Sequence, residues 1–275
     1  MTRIVIAIAI VAAFSGAPAR ALDIAACGQS VPDGETGVLQ ADLDCSADPA
    51  EAAVTLGNAS TLDMNGHAIV AHDLGVSCGS DFHFVGCTVR GHGVAPSGIG
   101  DLSGGGIAGA SRRVTVSDVT IHDVASGGIV VNQSLAATNV TVLRAGWTGI
   151  AANKKLTATN VVASDNASFG IDSPRVRGTN VTANGNTFSG VSCRRCVLTG
   201  LVANGNGFNP FAVGAGAGVQ GVRATLLNST ITGNAVDGVP VDIDTFGRPH
   251  LVGTTCDHSR QRKDTSRSWG VCQLD

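Results

Sequence analysis

An all-β solenoid, a right-handed parallel β-helix with a disulfide-closed cap at each end, is the fold this sequence predicts, and three observations predict it. A β-branched phrase recurs, as Thr138-Asn139-Val140-Thr141-Val142, Thr159-Asn160-Val161-Val162 and Thr179-Asn180-Val181-Thr182. A Gly followed by Ile or Val keeps step with it at Gly128, Gly149, Gly170, Gly190, Gly218 and Gly238, at intervals of 21, 21, 20, 28 and 20. The segments between these marks are short, alternate in polarity and end on Gly, Asn or Asp, with no 3.6-residue period. A fixed period this short means stacked units. The missing helical period excludes helical repeats, and too few leucines recur for a leucine-rich repeat. Units of about 20 to 22 residues suit three short strands and three turns.

The elements follow in chain order. Residues 1–21 read as an export signal: Arg3 is the positive start, Ile4 to Phe14 the apolar stretch, and Ala19-Arg20-Ala21 the small-x-small cleavage site. Those eleven apolar residues are too few to cross a bilayer, and no later segment reads as a span. The protein is therefore expected to be secreted or periplasmic. Residues 22–53 form an N-terminal cap that covers the first open strand edges. Residues 54–252 make eight or nine coils, with Gly-rich excursions at 94–106 and 207–217. Residues 253–275 form the C-terminal cap.

An oxidising compartment lets disulfides persist, and the eight cysteines fall in four close pairs: Cys27 with Cys45, Cys78 with Cys87, Cys193 with Cys196, and Cys256 with Cys272. A solenoid favours such adjacent pairing, because residues distant in sequence sit many coils apart. Cys193-Arg194-Arg195-Cys196 also has the spacing of a redox motif or of half a zinc site. Redox chemistry wants a helix N-terminus to lower one thiol pKa, and no helix pattern starts there. Zinc needs two further ligands. A turn-closing disulfide is the expected reading.

Stacking converts the period into columns. One turn aligns Asn166, Asn186, Asn206 and Asn234, an amide ladder suited to coil-to-coil hydrogen bonds and to tight turns. His67 and His92 head that column with His122 close by, near Asp63 and Asp123; no third metal ligand is fixed by the spacing, and turn hydrogen bonding is the expected role. After each Gly-Ile/Val strand comes a basic residue or pair: Arg112 and Arg113, Lys154 and Lys155, Arg175 and Arg177, Arg194 and Arg195, and Arg223. Only Gln133-Ser134 breaks the series.

Two further stretches carry a resemblance: "TLDMNGHAI" at 61–69, an opening coil, and "TTCDHSRQRKDTSRSWGVCQLD" at the end, a disulfide-closed cap. With the repeats, they make the chain over roughly 54–252 similar to the right-handed parallel β-helix repeat proteins shaped like pectate lyases. That architecture hosts lyases, hydrolases, epimerases and non-catalytic proteins. In the similar polyuronate lyases a Lys or Arg takes a proton beside a carboxylate, which Asp-bound Ca²⁺ or another Arg neutralises. The resemblance would place Arg175 or Arg194 as base, Lys154 in support, and Asp165 with Asp172 at the metal. The lyases' local signatures and the epimerase-like Asp-Pro-His-Asp motif do not occur here. No cofactor is expected otherwise.

Charge is segregated. Residues 23–101 hold eleven acids against Arg90 alone, a net of −10, whereas residues 102–224 hold ten Lys and Arg against four Asp, a net of +6. A one-sign stripe is the footprint of a polyanion partner. Nucleic acid is disfavoured, because a chain without Tyr and with Trp only at 147 and 269 offers few platforms for bases. The expectation is a monomeric module that binds acidic polysaccharide through Lys154, Lys155, Arg175, Arg177, Arg194 and Arg195, with Asp172 beside them, and is non-catalytic or weakly catalytic. A polyuronate lyase and a structural or adhesive envelope protein are the alternatives.

Overall fold

The computed structural model describes residues 21–79, 85–91, 98–101 (backbone alone), 105–207 and 216–275. The export signal, His92 and most of both Gly-rich excursions therefore lie outside the described residues. Among the described residues there is no helix, and 24 strands join in one parallel sheet that nearly closes round an axis.

The strands stack in three ladders. The chain visits each ladder in turn and returns one strand further along. The first ladder holds Ala52–Leu56, Leu74–Cys78, Gly105–Gly109, Ile129–Val131 and Ile150–Ala152, all parallel. The second runs from Leu22–Ile24 through Thr36–Leu39, Thr61–Asp63 and Cys87–Arg90 into the first half of Arg113–His122. The third runs from Leu43–Cys45 through Ile69–Ala71 and Gly98–Asp101 into that strand's second half. The segment expected as an N-terminal cap thus supplies strands to the same ladders.

The sequence period appears directly as register. Ile129, Ile150, Ile171, Val191 and Val219, each the residue after a marking Gly, follow one another along the first ladder at 0% exposure. The next level is Ile243 and not the expected Val239, which pairs antiparallel with Val236 in a separate hairpin. Small and β-branched side chains fill such an interior because each residue packs against its equivalents one strand above and below. All four expected cysteine pairs lie at disulfide distance, with Cα separations of 5.7, 5.8, 5.9 and 5.0 Å.

The expected amide ladder is present and buried. Asn166, Asn186 and Asn206 each donate Nδ2–H to the next Asn at 2.8, 3.0 and 2.8 Å. Each also accepts, on its own Oδ1, the backbone N–H of the residue one strand before. The row ends on the carboxylate of Asp242, which takes Asn234 Nδ2–H at 2.8 Å.

A second, exposed ladder was not foreseen. Asp118, Asn139, Asn160 and Asn180 all sit at positive φ, between 52° and 55°, and Asn139, Asn160 and Asn180 each donate to the preceding member at 2.8 to 3.0 Å. They form the corner between the second and third ladders. Asn belongs there because it tolerates the left-handed backbone and its amide reaches the next level. Gly200 takes the same corner at φ 66°.

His67 and His122 each turn to a carboxylate of their own. His67 Nδ1 lies 3.3 Å from Asp42, and His122 Nδ1 lies 2.9 Å from Asp123. Among the described residues no three His, Cys, Asp or Glu side chains are grouped to hold a metal.

The chain end folds back on the last first-ladder strand. Burial raises the Asp275 carboxyl pKa, but donors from the Ser259 side chain and from the Ser259, Cys272 and Val271 backbones outweigh it and leave the pKa lowered. A carboxylate stabilised this way contributes fully above its unfolded pKa, about 3.9, and progressively less as pH falls through the folded value. Acidification below about pH 4 should therefore loosen the 262–275 tail. Asp275→Asn should lose that acid-dependent step and open the tail at neutral pH, read as cleavage by carboxypeptidase. Equal resistance of both proteins at pH 7 and pH 3 would refute this anchor.

Candidate functional site

The basic series lies at the corner between the first and second ladders. There the chain places two residues inward, straddling two that face outward. Ser173 and Val176 flank Pro174-Arg175; Cys193 and Cys196 flank Arg194-Arg195; Gly221 and Ala224 flank Val222-Arg223. The inward residues are small or bonded together, so the corner is tight and the outward side chains are pushed into solvent. Gly221 is required by contact: a Cβ there would sit 2.4 Å from the Cys193 carbonyl and 3.0 Å from its sulfur. Ser173 Oγ donates to the Arg175 carbonyl at 3.3 Å, which closes the preceding corner as the Cys193–Cys196 bond closes the next.

Register sorts the cations into columns. Arg175, Arg195 and Arg223 are direct partners, and so are Arg113, Ser134 and Lys155. The pairing of Leu156 with Val176 sets Lys155 beside Arg175 and joins the two runs. Arg194 does not stand above Arg175, contrary to the expectation of one continuous column: it stands above Pro174 and below Val222. Arg177 lies one column further, between Thr157 and Val197. A doublet in sequence cannot say which of its members shares a column with the next coil; only the register can.

These side chains line a groove of about 780 Å³, formed by Lys154, Lys155, Arg175, Arg194, Arg195 and Arg223 with Ser134, Asn153, Pro174 and Val222. Lys155 also lines a hollow of about 640 Å³ with Arg112 and Arg113, and one of about 350 Å³ with Arg177 and Arg195. The basic surface is thus continuous over the corner. Asn153, Pro174 and Val222 were not anticipated, because their place depends on register and not on charge.

Pairing separates this corner from the rest of the molecule. Elsewhere four of the six described arginines meet carboxylates, Arg90 with Asp63 at 3.0 Å, Arg144 with Asp123 at 2.6 Å, Arg260 with Asp244 at 2.9 Å and Arg267 with Asp264 at 3.1 Å, and Arg262 lies over the Phe246 ring. Arg144 and His122 together hold the Asp123 carboxyl below the usual range. At the corner no cation forms an ion pair with a described residue; Lys154 alone is bonded, through Nζ to Gln133 Oε1 at 2.8 Å.

Asp172 is not brought into the groove. It faces outward from the middle of its first-ladder strand, between Ala151 and Ser192, and Asp165 also lies outside the groove lining. Surrounding atoms crowd the Asp172 carboxyl and raise its pKa, while a hydrogen bond from Ser192 pulls it the other way. Much of the residue's surface still meets solvent, which limits that effect. Across the first ladder, Trp147 is 57% exposed on the turn that enters Ile150–Ala152, and the rings of Phe169 and Phe188 meet edge to face at 5.3 Å on the turns beyond.

Comparison with known protein families, curated proteins and solved structures finds no match to this chain.

Proposed function

We propose that this chain is an exported right-handed parallel β-helix, of the pectate-lyase-like architecture, that binds acidic polysaccharide through its basic corner with little or no catalysis. One observation carries the reading: cations in register on neighbouring strands, lining contiguous grooves, with no carboxylate among the described residues paired to them. Like charges placed directly opposite one another destabilise a sheet, so the arrangement has no structural benefit to explain it. A polyanion laid along the column would neutralise several cations at once. The four cysteine pairs at bonding distance fit an oxidising compartment outside the cytoplasm.

The lyase alternative needs a carboxylate-held cation beside a basic residue. Arg175 and Arg194 line the groove, but Asp165 and Asp172 do not, so nothing at the corner favours an elimination over simple binding.

Retention on an alginate or heparin column tests the proposal. The protein should bind at low salt and elute as ionic strength passes the range where exposed charges are screened, about 0.1 to 0.15 M. Passage through both resins at low salt would sink it and favour a structural envelope role. Growth of unsaturated-sugar absorbance on polyuronate would show the lyase instead.

A further inference from the structure

We propose that the outward face of the second ladder binds ice: two ranks of threonine hydroxyls and methyls, fixed in register on successive strands, meet the water lattice of a prism face. This surface is a different one from the basic corner, which borders its first rank, and adds a second activity to the glycan binding proposed above.

The first rank begins with Thr36, Thr61, Thr88 and Thr115, direct partners on four successive strands. It continues through Ala136, Thr157, Arg177 and Val197 to Thr225. The second rank stands two residues further along each strand. Ser117, Thr138, Thr159, Thr179 and Thr199 are direct partners on five successive strands. Arg90, paired with Asp63, ends this rank on one side and Leu227 on the other. Levels within a rank are about 4.8 Å apart, and the two ranks about 6.6 Å. The first repeat is close to that of the water oxygens along a prism face of ice.

The net is rigid, and its hydroxyls are free. Thr138, Thr157, Thr159 and Thr179 are exposed, and among the described residues no hydrogen-bond partner meets a hydroxyl of either rank. Branching at Cβ restricts each threonine's χ1, so little side-chain freedom is lost on binding. The amides of Asn139, Asn160 and Asn180, one residue beyond the second rank, are bonded in a row. A side-chain ladder of this kind holds a sheet flat, and a twisted sheet would lose a two-dimensional match after a few levels.

Other ligands fit this face less well. Arg177 is the one charge in the ranks between Thr115 and Thr199, so a polyanion meets a single cation. Neither rank holds an aromatic ring to stack a sugar or to anchor a protein partner. A lattice of water asks for hydroxyls and methyls at a fixed repeat.

The test grows an ice hemisphere in a dilute solution of the fluorescently labelled mature protein and measures the freezing hysteresis of a single crystal. The wild type should enter the ice and shape the crystal. Thr159→Lys sets a long cation amid the double rank and should be excluded from the ice, with melting temperature unchanged because Thr159 is exposed. Arg177→Thr fills the first rank between Thr157 and Val197 and should raise the hysteresis above wild type at equal concentration. Thr255→Lys, exposed on the third ladder outside both ranks, should enter the ice as the wild type does. Exclusion of the wild type would overturn the assignment. So would uptake of Thr159→Lys equal to wild type, exclusion of Thr255→Lys, or no gain from Arg177→Thr. Retention on alginate or heparin is read separately, so failure here leaves the glycan proposal standing.

Discussion

Asp242→Leu is expected to lower the melting temperature by roughly 6–20 °C, the largest stability effect of any single exchange considered. Asp242 is 1% exposed, and its carboxylate accepts four hydrogen bonds. Oδ1 takes the Asn234 backbone N–H at 3.1 Å and Nδ2–H at 2.8 Å; Oδ2 takes the N–H of Asp257 at 2.8 Å and of His258 at 3.1 Å. The residue therefore ends the buried amide ladder and ties it to the turn that leads into the last first-ladder strand. Leucine shares the branching but is bulkier and accepts nothing, and each buried donor left unmet costs about 1–3 kcal/mol. Partial relaxation brings the sum to about 3–5 kcal/mol, and each kcal/mol moves the midpoint of a chain this size by about 2–4 °C.

Asp242→Asn separates hydrogen bonding from volume. Its NH₂ would face two N–H donors where the carboxylate had an oxygen, so it should fall between wild type and Leu. If both variants melted within about 2 °C of wild type, the ladder's end would be satisfied by other acceptors and its structural role would be wrong.

How far the fold was legible depends on what repeats. Five of the six Gly-Ile/Val marks became first-ladder register directly, because a residue that packs against its own equivalent must recur at the coil period. Gly238-Val239 instead closes a small antiparallel hairpin, and Ile243 takes the level after Val219. The cysteine pairs and the ladder from Asn166 to Asn234 were legible for the same reason. The Asn of the Thr-Asn-Val phrase was visible but misread as strand interior. It is a corner residue at positive φ, and alternation alone cannot mark a one-residue bend inside a ten-residue strand such as Ser134–Leu143. The site was legible as composition and not as geometry. The basic series could be counted, yet which cation of each pair shares a column depends on where a coil gains a residue, as between Ala152 and Leu156 relative to Ser173 and Val176. Asp172 was placed with the cations by nearness in sequence. Alternation along its strand turns it onto the first-ladder face instead.

Removing the column's centre should abolish most polyanion binding without harming the fold. Arg175 and Arg195 are direct register partners, exposed, and free of ion pairs with described residues. Arg175→Ser with Arg195→Ser deletes two adjacent cations from a run of four and splits what remains into Lys155 and Arg223. A bound polyanion releases counterions in proportion to the cations it meets, so the slope of log affinity against log salt should fall by about 1.4 to 1.8 for two lost contacts. At low salt, where each contact contributes most, affinity should drop by roughly tenfold or more. Thermal stability should stay level or rise slightly, since two like charges facing each other are removed. Arg194→Ser, which changes a cation outside the column, should lower affinity by less than either column residue alone. If Arg194→Ser proved the more damaging, or if the double exchange cost several degrees of melting temperature with binding intact, these arginines would belong to the scaffold and the corner would not be a binding site.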